Sequence, residues 1–354
     1  MVAAGDIFRG RSILITGHTG FKGSWLALWL HRLGARITGI ALDPVNQMDA
    51  FNAMGISEIS DDIRQDISDF QGLLSHIRNA RPEIVFHLAA QSLVLKSYNE
   101  PLYTFNTNIT GTANVLEACR QAGSVKVIIV ITTDKVYENN GSGEAFTESD
   151  RLGGDDPYSA SKAAAEVVTR AYRASFLNAV DIAAATVRAG NVIGGGDWAE
   201  NRIVPDCVRA LTTGMPVEIR NPAAVRPWQH VLEPLGGYLL LAGKMLERSK
   251  ELNEAWNFGP GYEGNKTVRE VVEEFISNWG EGSIIFNTKN SLFHEAEMLS
   301  LNTDKARIRL GWSPLLSFEE SVKMTAEWYK AQIVGKNMRD FSMDQIKHYE
   351  ELMP

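Results

Sequence analysis

Short apolar runs alternate with longer amphipathic stretches through the first half of this 354-residue chain. The apolar runs are rich in β-branched residues and alternate little with polar ones, which is typical of strands buried on both faces of a parallel sheet. They cover residues 12–16, 36–42, 84–88, 127–132 and 182–187. The stretches with helical periodicity cover residues 23–33, 69–79, 102–121 and 157–176. This strand–helix order predicts an α/β fold with a doubly wound parallel sheet.

The alternation of strand-like and helix-like segments ends at about residue 191, where Gly- and Pro-rich segments follow. We interpret this part as a smaller, mixed α/β lobe on the C-terminal side. Residues 255–258 have the composition of one more strand, which indicates that the chain returns to the first unit. We therefore expect a first domain of residues 1–190 with a returning segment at about 225–260, and a lobe made of residues 191–224 and 261–354.

Composition and charge exclude several classes of function. The chain has 35 Lys and Arg against 43 Asp and Glu, a formal net charge of -8, which disfavours binding to nucleic acid. Its two cysteines, Cys119 and Cys207, offer no disulfide framework, and no apolar run is long enough to span a bilayer. We expect a cytoplasmic protein without a membrane partner. The histidines show no metal-ligand spacing, so we expect no metal.

A glycine loop follows the first predicted strand directly. Gly17, Gly20 and Gly23 are spaced Gly-x-x-Gly-x-x-Gly, one residue longer at the front than the usual dinucleotide fingerprint. Glycines let the backbone approach a pyrophosphate, and the helix that follows presents its N-terminus to the negative charge. The pattern predicts a Rossmann-type cofactor site. Its loop residues are Gly17, His18, Thr19, Gly20, Phe21, Lys22 and Gly23.

Two carboxylates bear on the type of cofactor. Asp43 follows the second strand, where a carboxylate accepts hydrogen bonds from a ribose diol and repels a 2′-phosphate, so it favours NAD over NADP. The alternative interpretation is a turn residue before Pro44. Asp66 is placed for the adenine amino group, and its alternative is a helix cap.

Tyr158 and Lys162 lie one helical turn apart on the same predicted helix face. A phenol ordinarily titrates too high to act as a base at neutral pH, and an adjacent ammonium favours the phenolate. The Tyr-x-x-x-Lys spacing also arises by chance in helices. Its place after a strand that ends in Thr132-Thr133 favours the catalytic interpretation.

These features together resemble the extended short-chain dehydrogenase/reductase family. The glycine spacing, His87-Leu88-Ala89-Ala90, the Asn106-x-Asn108-x-x-Gly111-Thr112 motif and the Tyr158/Lys162 pair match in the right order. The resemblance implies that Thr133 hydrogen-bonds the sugar hydroxyl, Tyr158 takes its proton and Lys162 also holds the nicotinamide ribose. It adds Ile67, Leu88, Ala89, Ala90 and Asn108 to the cofactor contacts.

The residues after Thr133 narrow the resemblance. Sugar epimerases of the family lack an acid at the next position, whereas nucleotide-sugar 4,6-dehydratases carry Thr-Asp-Glu. There Asp protonates the departing C6 hydroxyl and Glu removes the C5 proton. This chain has Asp134 and Lys135, which resembles the CDP-glucose 4,6-dehydratase subgroup, as do Gly194-Gly195-Gly196-Asp197-Trp198 and Arg226-Pro227-Trp228-Gln229-His230-Val231. A general acid must hold its proton, so we expect Asp134 to be partly buried with a raised pKa.

The implied activity is that of a lyase, which converts CDP-glucose to CDP-4-keto-6-deoxyglucose on a recycled NAD for deoxysugar and lipopolysaccharide O-antigen synthesis. Lys135 as the C5 base would have to be neutral, and it could instead stabilise the enolate. The alternatives are another nucleotide-sugar 4,6-dehydratase, a 4-epimerase and a non-catalytic NAD(P)-sensing protein. The implied substrate contacts are Gln91, Asn191, Arg202, Ile219, Arg220, Arg226 and His294. Family members pair through two helices, which here are 102–121 and 157–176, so a homodimer or homotetramer is expected.

Overall fold

The computed structural model describes residues 7–139, 141, 143–247, 251–287 and 299–354. Its strands are β1 Ser12–Thr16, β2 Arg36–Ala41, β3 Asp61–Arg64, β4 Ile84–His87, β5 Val127–Ile131, β6 Ala183–Ala189, β7 Val192–Ile193, β8 Val217–Ile219, β9 Val225–Pro227, β10 Gln229–His230, β11 Ala255–Phe258, β12 Asn265–Thr267 and β13 Ile284–Phe286. Its α-helices are α1 Phe21–Arg32, α2 Ala50–Ala53, α3 Phe70–Ala80, α4 Val94–Asn99, α5 Pro101–Phe105, α6 Gly111–Ala122, α7 Pro157–Ser175, α8 Ile203–Thr212, α9 Leu232–Glu247, α10 Val268–Trp279, α11 Phe318–Ile333 and α12 Met338–Leu352.

Seven strands form one parallel sheet in the order β11-β6-β5-β4-β1-β2-β3. The chain moves outward from β1 through β2 to β3 and then crosses back to β4 on the other side of β1. In such sheets, ligands bind at the carboxyl ends of the strands where the order reverses. The predicted doubly wound fold is confirmed, and the glycine loop lies at this switch point.

The strands are buried on both faces, as their apolar composition predicts. Ile13 and Ile15 of β1 pack into one core, which includes Trp25 and Trp29 of α1. Leu14 between them packs into a second core formed with α3 and α6. Because successive side chains of a strand point to opposite faces, one short strand contributes to both cores.

Two features of the first half differ from the sequence prediction. Strand β3 was not expected, because Asp61–Arg64 is polar and lies at the edge of the sheet, where only the β2 side is paired. The helix predicted at 102–121 contains a π-turn at Asn106–Thr110 between α5 and α6. Such turns add a residue to a helical turn and are frequent at functional sites. Here the turn includes Asn108, whose side chain bonds across to other elements.

The chain after residue 190 forms small two-stranded sheets and helices beside the main sheet. Strand β7 pairs with β10, β8 with β13 and β9 with β12. Strand β11 joins the main sheet next to β6, as the sequence predicted for residues 255–258. The domain bounds given above remain a prediction. Within the part of the chain that the structure describes, no helix is long and apolar enough to cross a bilayer.

A buried ion pair lies beneath the carboxyl ends of β5 and β6. Glu166 of α7 accepts hydrogen bonds from Nε and a terminal nitrogen of Arg188, at 2.8 and 3.0 Å. The hydroxyls of Thr132 and Thr186 donate to the same carboxylate, at 2.7 and 2.6 Å. Burial opposes the charged form of Glu166, but these hydrogen bonds and the charge of Arg188 lower its pKa overall. The four donors therefore keep an ionised carboxylate in the interior.

Replacing Arg188 by Met should destabilise the fold strongly, because it leaves Glu166 as a buried charge without its counter-ion. Loss of one partner of a buried pair costs about 3–5 kcal/mol. The measurement is the free energy of unfolding from urea titration followed by circular dichroism. Adding Glu166→Gln to Arg188→Met should recover part of the loss, since the neutral amide needs no counter-charge. Equal instability of the single and double variants would contradict the assignment of Glu166 as a buried, ionised carboxylate that needs Arg188 as its counter-ion.

Candidate active site

The glycine loop packs directly against the chain that follows β4. Gly17 has φ +81°, and a Cβ there would lie 2.6 Å from the backbone nitrogen of Ala89. A Cβ on Gly23 would lie 2.1 Å from the carbonyl oxygen of Gly17. Helix α1 begins at Phe21, and Gly20 before it has no side chain to cap the helix N-terminus. These residues form a cradle of backbone with helix N–H groups at one end, which fits a dinucleotide pyrophosphate.

The other loop residues are held by contacts to the neighbouring strands. The buried ring of His18 lies 2.8 Å through Nε2 from an oxygen of Asp62 at the start of β3, and burial lowers its pKa. The hydroxyl of Thr19 donates to the carbonyl of Leu42. Phe21 points the other way, toward Gly194, where a Cβ would lie 3.0 Å from the ring. The loop thus connects the adenosine end of the predicted cofactor site to the C-terminal lobe.

The carboxylates predicted at the adenosine end have different surroundings. Asp43 is 86% exposed and lies 3.0 Å from Nε of Arg64. Asp66 accepts a hydrogen bond from the backbone of Ser68, while the cap of α3 is Asp69. The helix-cap alternative for Asp66 is therefore wrong. Ile67 next to it packs against Gly111, where a Cβ would lie 2.6 Å from its side chain.

The side chain of Asn108 is hydrogen-bonded to the backbone of Gln91. The Asn108 amide accepts from the backbone N–H of Gln91 and donates to its carbonyl and to the hydroxyl of Ser161. The Gln91 amide bonds both backbone groups of Leu93 and the hydroxyl of Thr104. A substrate contact by Gln91 would require it to give up one of these bonds. Leu88, Ala89 and Ala90 follow β4 between this cluster and the glycine loop.

Asp134 lies on a short 3₁₀ turn after β5, and its carboxyl group is buried. The hydroxyl of Thr133 donates to one of its oxygens at 2.9 Å. The other oxygen has no hydrogen-bond partner among the described residues, and it faces Gly190 beside Pro227. Burial raises the pKa of Asp134, and the charges of nearby cations, Lys135 first, oppose the rise. The expected burial and raised pKa are both found, so this carboxyl group is suited to hold a proton.

Tyr158 and Lys162 are both buried on α7, and the support of the phenol by Lys162 stays a prediction. Burial raises the pKa of Tyr158 to about 12, opposed by a hydrogen bond with Thr133 and by the charge of Arg202. Lys162 donates through Nζ to the carbonyl of Ile131, at 2.9 Å. Burial lowers its pKa to about 8. The charge of Arg202 thus favours the phenolate of Tyr158, while the amino group of Lys162 is bonded to the end of β5.

Lys22 of the glycine loop also belongs to this cluster of charges. Burial lowers the pKa of Lys22 to about 8, and the charge of Arg202 contributes to the lowering. The charge of Asp134 opposes it. Lys22 therefore faces the catalytic end of the site. Lys135 is half-buried, and its backbone N–H donates to the hydroxyl of Thr133. Its role as C5 base stays a prediction.

The predicted substrate residues divide into two groups. Arg202 pairs with Asp197 at 2.7 Å, and its charge lowers the pKa of Tyr158. The charge of the buried Arg226 lowers the pKa of Asp134. Both arginines therefore lie near the predicted catalytic residues. Asn191 follows β6 next to Gly190, and its carbonyl accepts from Gln229. Ile219 and Arg220 form the second group, at the end of β8, and their contact with a substrate stays a prediction. His294 lies outside the described residues.

Ile219 requires a correction. Its side chain is buried in the main hydrophobic core, and its carbonyl accepts from the backbone of Asn287. It therefore cannot offer a side chain to a ligand, because the inward face of β8 supports the core. Arg220 is exposed and lies near Asn201. Among the described residues no group of His, Cys, Asp and Glu could hold a metal ion.

Two residues of the site escaped the sequence analysis. Glu166 lies four residues after Lys162, and its charge raises the pKa of that lysine against the effect of burial. The spacing was visible, because residues four apart share a helix face. Gly190 makes room for the Asp134 carboxyl group, and no local pattern marks it.

Comparison with known proteins agrees with this geometry. The sequence profile of the family described as GDP-mannose 4,6 dehydratase matches residues 14–325. The chain belongs to this family. It is 42% identical to a CDP-glucose 4,6-dehydratase of Salmonella typhimurium over 97% of each chain, and 28% identical to a dTDP-glucose 4,6-dehydratase of Neisseria gonorrhoeae over 90% of this chain and 95% of the other. The resemblance to the extended short-chain dehydrogenases and to their CDP-glucose 4,6-dehydratase subgroup is confirmed.

Solved structures resemble the whole fold. The dTDP-glucose 4,6-dehydratase of Streptomyces venezuelae, solved with NAD bound, matches with a TM-score of 0.77 at 26% identity and covers 92% of this chain and 98% of its own. The UDP-glucose 4-epimerase of Thermus thermophilus, also with NAD, matches with a TM-score of 0.77 at 25% identity and covers 90% and 98%. Dehydratases and epimerases thus share this scaffold, so the residues of the site must distinguish them.

Replacing Asp134 by Asn should stabilise the fold at neutral and alkaline pH. The folded-state pKa of Asp134 is raised by burial, so its stabilising contribution is present in acid and is lost as pH rises through that pKa. Asn keeps the bond from Thr133 and never ionises. The melting temperature of the variant should therefore exceed that of wild type at pH 8, with a smaller difference at about pH 4.5. The exposed Asp344→Asn serves as control. A difference independent of pH would contradict the raised pKa.

Proposed function

We propose that this protein is an NAD-dependent CDP-glucose 4,6-dehydratase, a lyase that forms CDP-4-keto-6-deoxyglucose. The observation that carries the proposal is the buried Asp134, with one oxygen bonded to Thr133 and the other without a partner among the described residues. A 4-epimerase does not need such an acid, whereas elimination of a hydroxyl group does. The identity of 42% to a CDP-glucose 4,6-dehydratase supports the choice of nucleotide.

Each catalytic side chain has a role that follows from its surroundings. Tyr158, whose pKa Thr133 lowers against the effect of burial, takes the proton of the sugar 4-hydroxyl as C4 is oxidised. The resulting 4-ketone acidifies the C5 hydrogen. Asp134 then gives its proton to the 6-hydroxyl group, which leaves as water. Lys135 removes the C5 proton or stabilises the enolate.

The glycine loop, the uncapped start of α1 and the Asp43 carboxylate fit NAD. NAD bound there would supply reversible hydride transfer, taking up the hydride lost at C4 and giving it back at C6 without net oxidation. Lys162 would hold the nicotinamide ribose through the amino group that now bonds Ile131. Arg202 and Arg226 would bind the substrate pyrophosphate, because a guanidinium offers paired donors to phosphate oxygens. Asn191 and His294 are proposed as further substrate contacts.

The assembly and location are proposed on more general grounds. Apolar side chains are exposed at Leu102 on α5, at Val167 on α7 and at Phe176 just after α7, which supports pairing of copies through these helices. We propose a homodimer or homotetramer. Cys119 and Cys207 are both buried free thiols, which is compatible with the reducing cytoplasm. There the product would enter deoxysugar synthesis for a lipopolysaccharide O-antigen.

Incubation of the purified protein with CDP-glucose and NAD tests the reaction. The expected product is lighter than the substrate by one water and absorbs in the near ultraviolet in alkali. Parallel reactions with UDP-glucose and dTDP-glucose test the choice of nucleotide, and Tyr158→Phe is the inactive control. A product of unchanged mass would indicate a 4-epimerase. Binding of NAD without any turnover would indicate a sensor.

The role of Lys135 has its own test in deuterated water. Lys135→Ala should stop incorporation of solvent deuterium at C5, measured by mass spectrometry, while C4 oxidation, measured as NADH absorbance, continues. The exposed Lys126→Ala is the matched control, since Lys126 pairs with Glu83 at the opposite end of β5. Unchanged exchange in Lys135→Ala would assign Lys135 to enolate stabilisation or to neither role.

A further inference from the structure

Arg64 at the end of β3 bridges two carboxylates at the predicted adenosine end of the site. Its terminal nitrogens form a fork on Asp62, at 2.5 and 2.8 Å, and its Nε lies 3.0 Å from an oxygen of Asp43. The guanidinium lies 5.0 Å from the centre of the Phe51 ring. Two of its donors are therefore fixed in direction by Asp62 on the same strand, and its charge is paired with Asp43 beyond β2.

The position of Arg64 follows from the sheet. Ala41 of β2 lies opposite Arg64 of β3 in register, and Asp43 is two residues beyond Ala41. The second strand of a doubly wound sheet ends beside the adenosine ribose, and an arginine near this point accommodates a 2′-phosphate in NADP-binding proteins. Asp62 also contacts His18 of the glycine loop, at 2.8 Å. The arginine is thus tied to the same loop that cradles the pyrophosphate.

We propose that Arg64 is a specificity-determining residue, a 2′-phosphate-binding group that Asp43 occupies and so withholds from NADP. The inference rests on the proposed dinucleotide site. In this arrangement the carboxylate of Asp43 does two things: it accepts from the ribose diol of NAD, and it forms an ion pair with Arg64, 3.0 Å from its Nε. The chain selects NAD because an ion pair stands where the extra phosphate of NADP would bind.

Removal of the Asp43 carboxylate changes both the charge and the donors at this point. The remaining Arg64–Asp62 pair has no net charge, and no carboxylate of Asp43 then lies beside Nε of Arg64. A phosphate oxygen could then accept the charge-assisted bond, a contact for which the planar guanidinium is suited. Loss of the carboxylate alone also relieves repulsion of the phosphate. The contribution of Arg64 is therefore the part of the gain that disappears when Arg64 is replaced.

The test is a double-mutant cycle read out by binding. Dissociation constants for NAD and NADP are measured by isothermal titration calorimetry on wild type, Asp43→Ala, Arg64→Met and the double variant. Met keeps an unbranched apolar stem over the Phe51 ring. Asp43→Ala should bind NADP about tenfold or more tightly than wild type and NAD about tenfold more weakly. The double variant should lose most of the NADP gain.

Two further variants keep the test decisive. Arg64→Lys retains the charge without the fork, and combined with Asp43→Ala it should keep only part of the NADP gain. Arg307→Met removes an exposed arginine that pairs with Asp304, and it should change neither constant. An equal NADP gain with Met at position 64, or no gain in Asp43→Ala, would overturn the proposal while leaving NAD binding intact. A wild-type protein that binds neither nucleotide would overturn the proposed function as well.

Discussion

The proposed catalytic end of the molecule depends on one buried carboxylate, Glu166, whose charge is balanced by Arg188 and whose oxygens all accept hydrogen bonds. Glu166 accepts bonds from Arg188 and from the hydroxyls of Thr132 and Thr186, and it thereby joins α7 to the ends of β5 and β6. A buried charge is tolerated only with partners of good geometry. Because Thr132 precedes Thr133 and Asp134 directly, the network that satisfies Glu166 also fixes where the catalytic turn begins.

Asp134 is buried to nearly the same extent as Glu166, but its carboxyl group has far fewer hydrogen-bond donors. Its carboxyl group has one hydrogen-bond donor, Thr133, and its second oxygen faces Gly190 and Pro227 without a partner among the described residues. The pKa of Glu166 is lowered and that of Asp134 is raised, although both groups are buried. The number of donors decides between them. The fold thus keeps one acid ionised for structure and leaves another able to hold a proton.

The sequence predicted the structure best where a local pattern of residue types is enough to determine the conformation. Apolar runs predicted the buried strands, and the glycine spacing predicted a loop in which a Cβ on Gly17 would meet Ala89. It failed where the outcome depends on long-range contacts. The polar strand β3 forms only because β2 offers it an edge, and Ile219 faces the core because of the way β8 packs. The bond of Lys162 to the carbonyl of Ile131 is likewise set by tertiary packing, which no local pattern reveals.

The cluster around Lys22 has a consequence for how the protein exchanges protons with solvent. Burial brings the pKa of both Lys22 and Lys162 to about 8, and the charges of Arg202 and Lys162 contribute to the lowered pKa of Lys22. Near that pH a substantial fraction of both amines is neutral. An anionic ligand that enters beside them favours the ammonium forms, so its binding is accompanied by proton uptake. The affinity of the site is thereby linked to the acidity of the surrounding medium.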